Sequence, residues 1–333
     1  MNSKERLDAF IAENKTDRRP NLTIVGSTVC RMNQIDIPTY CKDWRKMEEA
    51  AELAAHSYRL DFIQIASDLA REAEGYGTKL DFPTDRLPYP VSYALEDITD
   101  VSSLHPLKTE DIPRLYDLVL AAQKAAECPD VYPMTLAVGP MTVSGNIRGV
   151  EDLLMDAFDE PEAVEELLDI VTETTLDFLK ELAGVGQKYF YVADPVASLV
   201  SPRMYKEFVW PRQKRIFDRG RELGLTGRLH MCGNTTQVVE FTSQLGAAIV
   251  DLDHLVDYGA ALEKAQGRCI LNGNIDPVAD VFSCDAAHTH AAILDLGQKY
   301  ASAKAMFMPG CELPTTTPTD NILAIADALD EIG

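Results

Sequence analysis

The chain has 333 residues, 46% of them hydrophobic, enough for one large α/β barrel or two ordinary domains. Its formal charge of −22 disfavours nonspecific binding to nucleic acid or to an anionic membrane surface. No run of 18 or more uncharged apolar residues offers a membrane span, and the opening Met1-Asn2-Ser3-Lys4-Glu5-Arg6 lacks the apolar core of a signal peptide, so a cytoplasmic chain is expected.

Eight strand-like runs recur along the chain, separated by helix-like stretches. They are Leu22–Gly26, Phe62–Ala66, Met134–Val138, Lys188–Ala193, Gly227–Met231, Ala247–Leu252, Cys269–Leu271 and Ala305–Met308. Several are continuously apolar, as strands covered on both faces are. Between the fourth run and the third lies Glu151–Leu182, where Leu153, Leu154, Phe158, Val164, Leu167, Leu168, Val171, Leu176 and Phe178 recur near helical spacing. Pro161 should split this stretch into two helices. Alternating strands and helices predict a single (β/α)8 TIM barrel over residues 1–333, with an N-terminal helical extension. The proline- and aromatic-rich stretch 80–107 is expected to be an insertion, a hairpin or lid.

Reactive side chains fall at or just past the ends of these runs: Asp68, Asp194, His230, Cys232, Asp253, Asn274 and Cys311. In a TIM barrel those ends share one mouth, where active sites are built. His230 and Cys232 lie two apart, so in extended chain both point to one side. Cys311 follows 79 positions later, yet the fifth and eighth runs open on the same mouth. One imidazole and two thiolates suit zinc, and three protein ligands leave a fourth position open. The plain alternative is a packed rim with inert thiols, because His-x-Cys is not a zinc-finger spacing.

The other side chains have simpler readings. The chain has seven cysteines, and Cys128, Cys269 and Cys284 read as small buried hydrophobes, as do Cys30 and Cys41. His56 and His105 have no partner at a recognisable spacing, His288 and His290 read as surface or satisfied residues of a helix, and His254 follows a strand, where a supporting role at the mouth is the simpler reading. Asp68 could be a helix N-cap, Asp194 a turn former, and Asn274 with Asp276 turn and cap residues.

Several segments carry a resemblance that spans nearly the whole chain. They are Ala66-Ser67-Asp68-Leu69, Asp194-Pro195-Val196-Ala197-Ser198, His230-Met231-Cys232-Gly233-Asn234-Thr235, Gly273-Asn274-Ile275-Asp276-Pro277 and Pro309-Gly310-Cys311-Glu312-Leu313-Pro314. Ser201-Pro202 and the closing Thr317-Pro318-Thr319-Asp320-Asn321-Ile322 fit as well. Together they resemble the uroporphyrinogen decarboxylase superfamily, and within it the corrinoid-dependent methyltransferases of the methylcobalamin:coenzyme M type. The decarboxylases carry an arginine-rich segment after strand one and a histidine after strand eight. Here Ser27–Gln34 holds the single Arg31, and Cys311 stands at the later position.

The resemblance implies a TIM barrel and a zinc-dependent enzyme with a His-x-Cys…Cys site formed by His230, Cys232 and Cys311. It implies methyl transfer from a methyl-corrinoid, free as methylcobalamin or carried by a corrinoid protein. The acceptor would be a zinc-activated thiol such as coenzyme M, or another acceptor such as tetrahydrofolate. Asp68, Asp194 and Asn274 are the expected catalytic residues, and Glu312 or Asp194 the candidate fourth zinc ligand. An anionic acceptor would call for a cation, with Arg31, Arg148 and Arg203 the candidates. The alternatives kept open are a tetrapyrrole decarboxylase and a non-catalytic corrinoid-binding module.

Overall fold

Seven parallel strands form one curled sheet in this computed structural model, which describes residues 1–333. In chain order they are β1 (Ile63–Ile65), then, after a hairpin of β2 (Lys79–Asp81) and β3 (Tyr89–Ser92), β4 (Pro133–Val138), β5 (Tyr189–Ala193), β6 (Thr226–His230), β7 (Ile249–Asp251), β8 (Ile270–Asn272) and β9 (Ala305–Met306). Sheet order follows chain order from β1 through β4 to β9, as βα units require. Every residue of β4 and β5 is buried, which accounts for their unbroken apolar character. The hairpin pairs antiparallel within the expected 80–107 insertion and is followed by a short helical turn, Ile98–Ser103.

The first expected strand, Leu22–Gly26, does not join the ladder. It is nonetheless extended and fills the gap between β1 and the segment after β9. Asn21 O accepts the amide of Asp61 at 2.9 Å on one side, and Ile24 O accepts that of Leu313 at 3.0 Å on the other. The amides of Val25 and Gly26 donate to the side chain of Gln64 at 3.1 and 3.2 Å instead of to a neighbouring carbonyl. A side chain therefore takes over the pairing of this eighth stave, and the ring closes without a regular strand there.

The split at Pro161 is as expected: helices run Val150–Asp159 and Pro161–Gly184, with the proline at the first turn of the second, where its missing N–H costs nothing. The last expected run, Ala305–Met308, is a strand only over its first two residues; Pro309 then makes a lone parallel bridge to Ile275.

A polar layer crosses the barrel interior below the mouth. Arg228 of β6 is 1% exposed and donates from Nε to both Asp251 oxygens at 2.9 Å and from Nη2 to Leu22 O at 3.0 Å. Its guanidinium lies over the rings of Phe62 and Tyr191. Asn272 Nδ2 donates to Asp251 Oδ1 at 2.8 Å, so Asp251 gathers three strands around one carboxylate.

Candidate metal centre

His230 ends β6, and Cys232 follows two residues on, so the two side chains leave the strand on the same side. Cys311 arrives from beyond β9. The three ligand atoms converge: His230 Nε2 lies 3.3 Å from Cys232 Sγ and 3.7 Å from Cys311 Sγ, and the two sulfurs are 3.1 Å apart.

The local backbone is arranged to bring them there. Gly233, at φ +82°, turns the chain away after Cys232, and its amide donates to Asp253 Oδ2 at 2.8 Å. Gly310, just before Cys311, donates to Ile275 O at 2.8 Å. A Cβ on Gly310 would meet His254 N at 2.4 Å, so only glycine lets these two backbones approach.

Behind the imidazole stands Asp251, which accepts from His230 Nδ1 at 3.0 Å. That bond fixes the tautomer and turns Nε2 toward the sulfurs. Asp251 was not singled out from the sequence. Its one signal was its place at the end of a predicted strand, two residues before the Asp253 that was noted.

The electrostatics of the trio follow from its crowding. Burial works against a charged His230, but the hydrogen bond to Asp251 and the neighbouring Cys311 outweigh it and lift the imidazole to about 9. The hydrogen bond from Cys232 holds Cys311 down at about 4 against its burial, with His230 assisting. The same shared proton, together with burial, pushes Cys232 far up. Without metal the trio is thus an imidazolium facing a thiolate and a thiol.

A tetrahedral ion with bonds of about 2.3 Å to sulfur and about 2.0 Å to nitrogen would space its ligands roughly 3.8 Å (S···S) and roughly 3.5 Å (N···S) apart. The two nitrogen–sulfur separations, 3.3 and 3.7 Å, lie within a few tenths of an ångström of this, whereas the sulfurs, at 3.1 Å, would part by about 0.7 Å on taking up the ion. The donor set, its spacing and the carboxylate behind the histidine all fit zinc.

The trio forms one wall of a cavity of about 110 Å³, with Ile24, Gln64, Leu136 and Tyr191 among its other walls. Glu312 lines it too, but its Oε1 accepts from the amide and hydroxyl of Ser27 at 3.0 and 3.3 Å. Burial, opposed by the Ser27 amide, raises its pKa. Glu312 is not among the three residues whose ligand atoms converge.

The expected catalytic carboxylates prove to be occupied with the scaffold. Asp68 lines the cavity, and its Oδ1 accepts from Ala70 N at 2.9 Å while its Oδ2 pairs with Arg114; the next helix starts at Arg71 with Ala70 at its cap, so Asp68 forms a turn before the helix rather than its N-cap. Asp194 does not reach the cavity, although its neighbours Ala193 and Pro195 do. Its buried carboxylate accepts from Thr142 N and Oγ1 at 2.9 and 2.8 Å and from Gln213 Nε2 at 3.0 Å, which removes it as a fourth ligand. Asn274 also lies outside the cavity and braces a loop, donating to Asp253 O at 2.9 Å and Val256 O at 2.7 Å.

None of the three candidate arginines reaches the cavity wall, which contains no lysine or arginine at all. Arg31 donates to Thr316 O at 2.7 Å, Arg148 pairs with Asp152 and Asp156 at 3.0 and 2.8 Å, and Arg203 is 89% exposed beside Glu207.

Comparison with known proteins agrees with this architecture. The sequence profile described as uroporphyrinogen decarboxylase (URO-D) matches residues 2–332. The methylcobamide:CoM methyltransferase MtbA of Methanosarcina acetivorans is 25% identical over 96% of this chain and 95% of its own length. A methylated-thiol–coenzyme M methyltransferase of Methanosarcina mazei is 28% identical over 76% of this chain and 70% of its own. Uroporphyrinogen decarboxylases align as well, over 254 residues for that of Carboxydothermus hydrogenoformans. A solved methyltransferase structure from Methanosarcina mazei superposes with a TM-score of 0.86, covering 99% of both chains at 19% identity, which shows a shared fold.

Proposed function

The chain belongs to the uroporphyrinogen decarboxylase family, and from that premise we propose that it is a zinc-dependent methyltransferase moving a methyl group from a methyl-Co(III) corrinoid to a small thiol. The observation that carries this reading is the convergence of His230 Nε2 and the sulfurs of Cys232 and Cys311 at one wall of the barrel cavity. The likeness to methylcobamide:CoM methyltransferases over nearly the full chain supports it.

Zinc held by this trio would supply the positive charge that ionises a thiol near neutral pH, with a fourth position for the acceptor's sulfur. The rest belongs to the chain. Asp251 orients His230, and Asp253 pins the turn that carries Cys232. Ile24, Leu136 and Tyr191 give the sulfur an apolar flank. The acceptor's thiol proton leaves to solvent, and its sulfur attacks the methyl carbon in line. The carbon–cobalt bond then breaks with both electrons going to cobalt, which departs as Co(I), and a methyl thioether is released.

Size and lining narrow the acceptor. A volume of about 110 Å³ is below the roughly 300 Å³ at which sites for drug-sized ligands begin. A small thiol is therefore favoured over a pterin such as tetrahydrofolate. The corrin must lie over the mouth, whether delivered by a corrinoid protein or free as methylcobalamin. Leu199, Leu255 and Val278, which follow β5, β7 and β8, are more than half or half exposed and offer that rim an apolar contact. No helix is long and apolar enough to cross a membrane.

The decarboxylase alternative requires several cations to hold a polycarboxylate, and the cavity wall provides none. The deciding experiment pairs metal analysis with methylcobalamin demethylation. About one zinc at this trio and thiol-dependent appearance of Co(I) are expected. A protein without zinc that is inert toward methylcobalamin and turns over uroporphyrinogen would overturn the proposal.

A further inference from the structure

A second group of metal-type ligands lies far from the mouth. The helix Trp44–Ser57 carries Glu48, Glu52 and His56 four residues apart, on one face. That face meets Cys128, in the loop leading to β4, at the opposite end of the barrel from the cavity. His56 Nε2 lies 3.9 Å from Cys128 Sγ and 3.9 Å from Glu52 Oε1, and all three ligand atoms fall within 4.8 Å of one another. The sequence showed none of this, because neither His56 nor Cys128 stands at the end of a strand-like run that would bring it to a shared mouth.

Two further observations set this cluster apart from a chance meeting of surface groups. Glu48, one turn before Glu52, is only 7% exposed, and its Oε1 has no hydrogen-bond partner. Burial and the adjoining Glu52 carboxyl push Glu48 up to about 7, a crowding of two carboxyls that a shared proton or a bound cation relieves. The Cys128 thiol donates to Asp130 Oδ1 at 3.3 Å, which fixes its sulfur beside the cluster.

We propose that Glu52, His56 and Cys128 form a second zinc-type site, its fourth position open to solvent on the partly exposed His56 and Glu52 side. An imidazole, a thiolate and a carboxylate are borderline donors that suit zinc; the 3.9 Å from His56 Nε2 to Cys128 Sγ would close to roughly 3.5 Å and that to Glu52 Oε1 to roughly 3.3 Å around a tetrahedral ion, with side-chain rotation drawing all three in from their present spread of up to 4.8 Å. On binding, the Cys128 thiol gives up its proton to solvent and the ion takes its place. The site is structural. It joins the Trp44–Ser57 helix to the loop before β4, and through Lys4, whose Nζ donates to Cys128 O at 2.6 Å, to the N-terminal helix. In a TIM barrel this end serves stability, and the catalytic groups lie at the other.

The test uses the full chain with Zn²⁺ alone. Wild type should bind about two zinc ions, and both His56→Asn and Cys128→Ser about one, with thiol-dependent methyl transfer retained. A Cys232→Ser/Cys311→Ser chain should keep about one zinc and a zinc-dependent rise in Tm, which adding His56→Asn should abolish. Cobalt(II) loaded into that double variant should show a thiolate charge-transfer band that Cys128→Ser removes. Failure of this site would leave the cavity trio untouched, since each is counted in the other's absence. Unchanged zinc content in both His56→Asn and Cys128→Ser, or a double variant that binds no zinc while folded, would overturn the proposal.

Discussion

Asp251 Oδ2 accepts from His230 Nδ1 at 3.0 Å while the same carboxylate receives Arg228 Nε on both oxygens. Burial opposes the charge on Asp251, and Arg228 first, then His230, overcome it and hold its pKa below the usual carboxylate value. Asp251 is therefore an anion at neutral pH, and it presents the imidazole in the one tautomer that can bind metal through Nε2. Asp251→Asn should weaken zinc about 10- to 100-fold, as loss of such supporting carboxylates does. Competition with a chelating dye would measure it; an unchanged affinity in a folded variant would show that the imidazole is oriented by its packing alone.

Cys311→Ala should lose zinc at the cavity and all thiol-dependent demethylation while keeping the fold, because Cys311 is partly exposed and removing it leaves no buried charge unpaired. Metal analysis and circular dichroism check this together. Cys284 does not line the cavity, and Cys284→Ala should retain full activity.

Zinc binding should release protons in a number that depends on pH. At pH 7 His230 is protonated, since its pKa is about 9, and Cys311 is already a thiolate, since its pKa is about 4, while Cys232 keeps its proton. The ion displaces the protons of His230 and Cys232, so about two leave per zinc at this site. Above pH 9 His230 is already neutral and about one should leave. Calorimetry in buffers of different ionisation enthalpy, on His56→Asn, reads the number directly.

A cavity wall without lysine or arginine predicts acceptor preference. Neutral small thiols such as 2-mercaptoethanol should be methylated with kcat/KM at least equal to that of coenzyme M, because a sulfonate finds no lysine or arginine there. A tenfold advantage for coenzyme M, about 1.4 kcal/mol of selective binding, would mean that a cation reaches the sulfonate from the rim.

Gly310→Ala should cost about 1–3 kcal/mol of stability and weaken zinc as well, because the added methyl collides with the backbone of His254 and pushes Cys311 off its position. Chemical denaturation and zinc titration of the same variant would separate the two effects.

The alternation of strands and helices was legible in the sequence because strands buried on both faces must be continuously apolar. The His-x-Cys pair was legible because period two puts both side chains on one side. What escaped the sequence depends on contacts between distant segments. Leu22–Gly26 has the composition of a strand, but the Gln64 amide takes the place of a ladder partner, and nothing local announces that. Asp194 stands at a strand end like a catalytic residue, yet Thr142 and Gln213 claim its carboxylate from two other elements. Asp251 gains its role only when β6 and β7 lie side by side.

The two sulfurs of the cavity site come from segments on either side of two intervening strands, and Cys311 belongs to the stretch that Leu22–Gly26 locks at Leu313. The ligand set therefore exists only after the last stave has docked. During synthesis a nascent chain can display His230 and Cys232 long before Cys311 emerges, and such an intermediate holds two donors with no third. Tight zinc capture at this site is consequently a late event that marks a finished ring, and a chain shortened before residue 311 would be unable to reach it however well its earlier strands had paired.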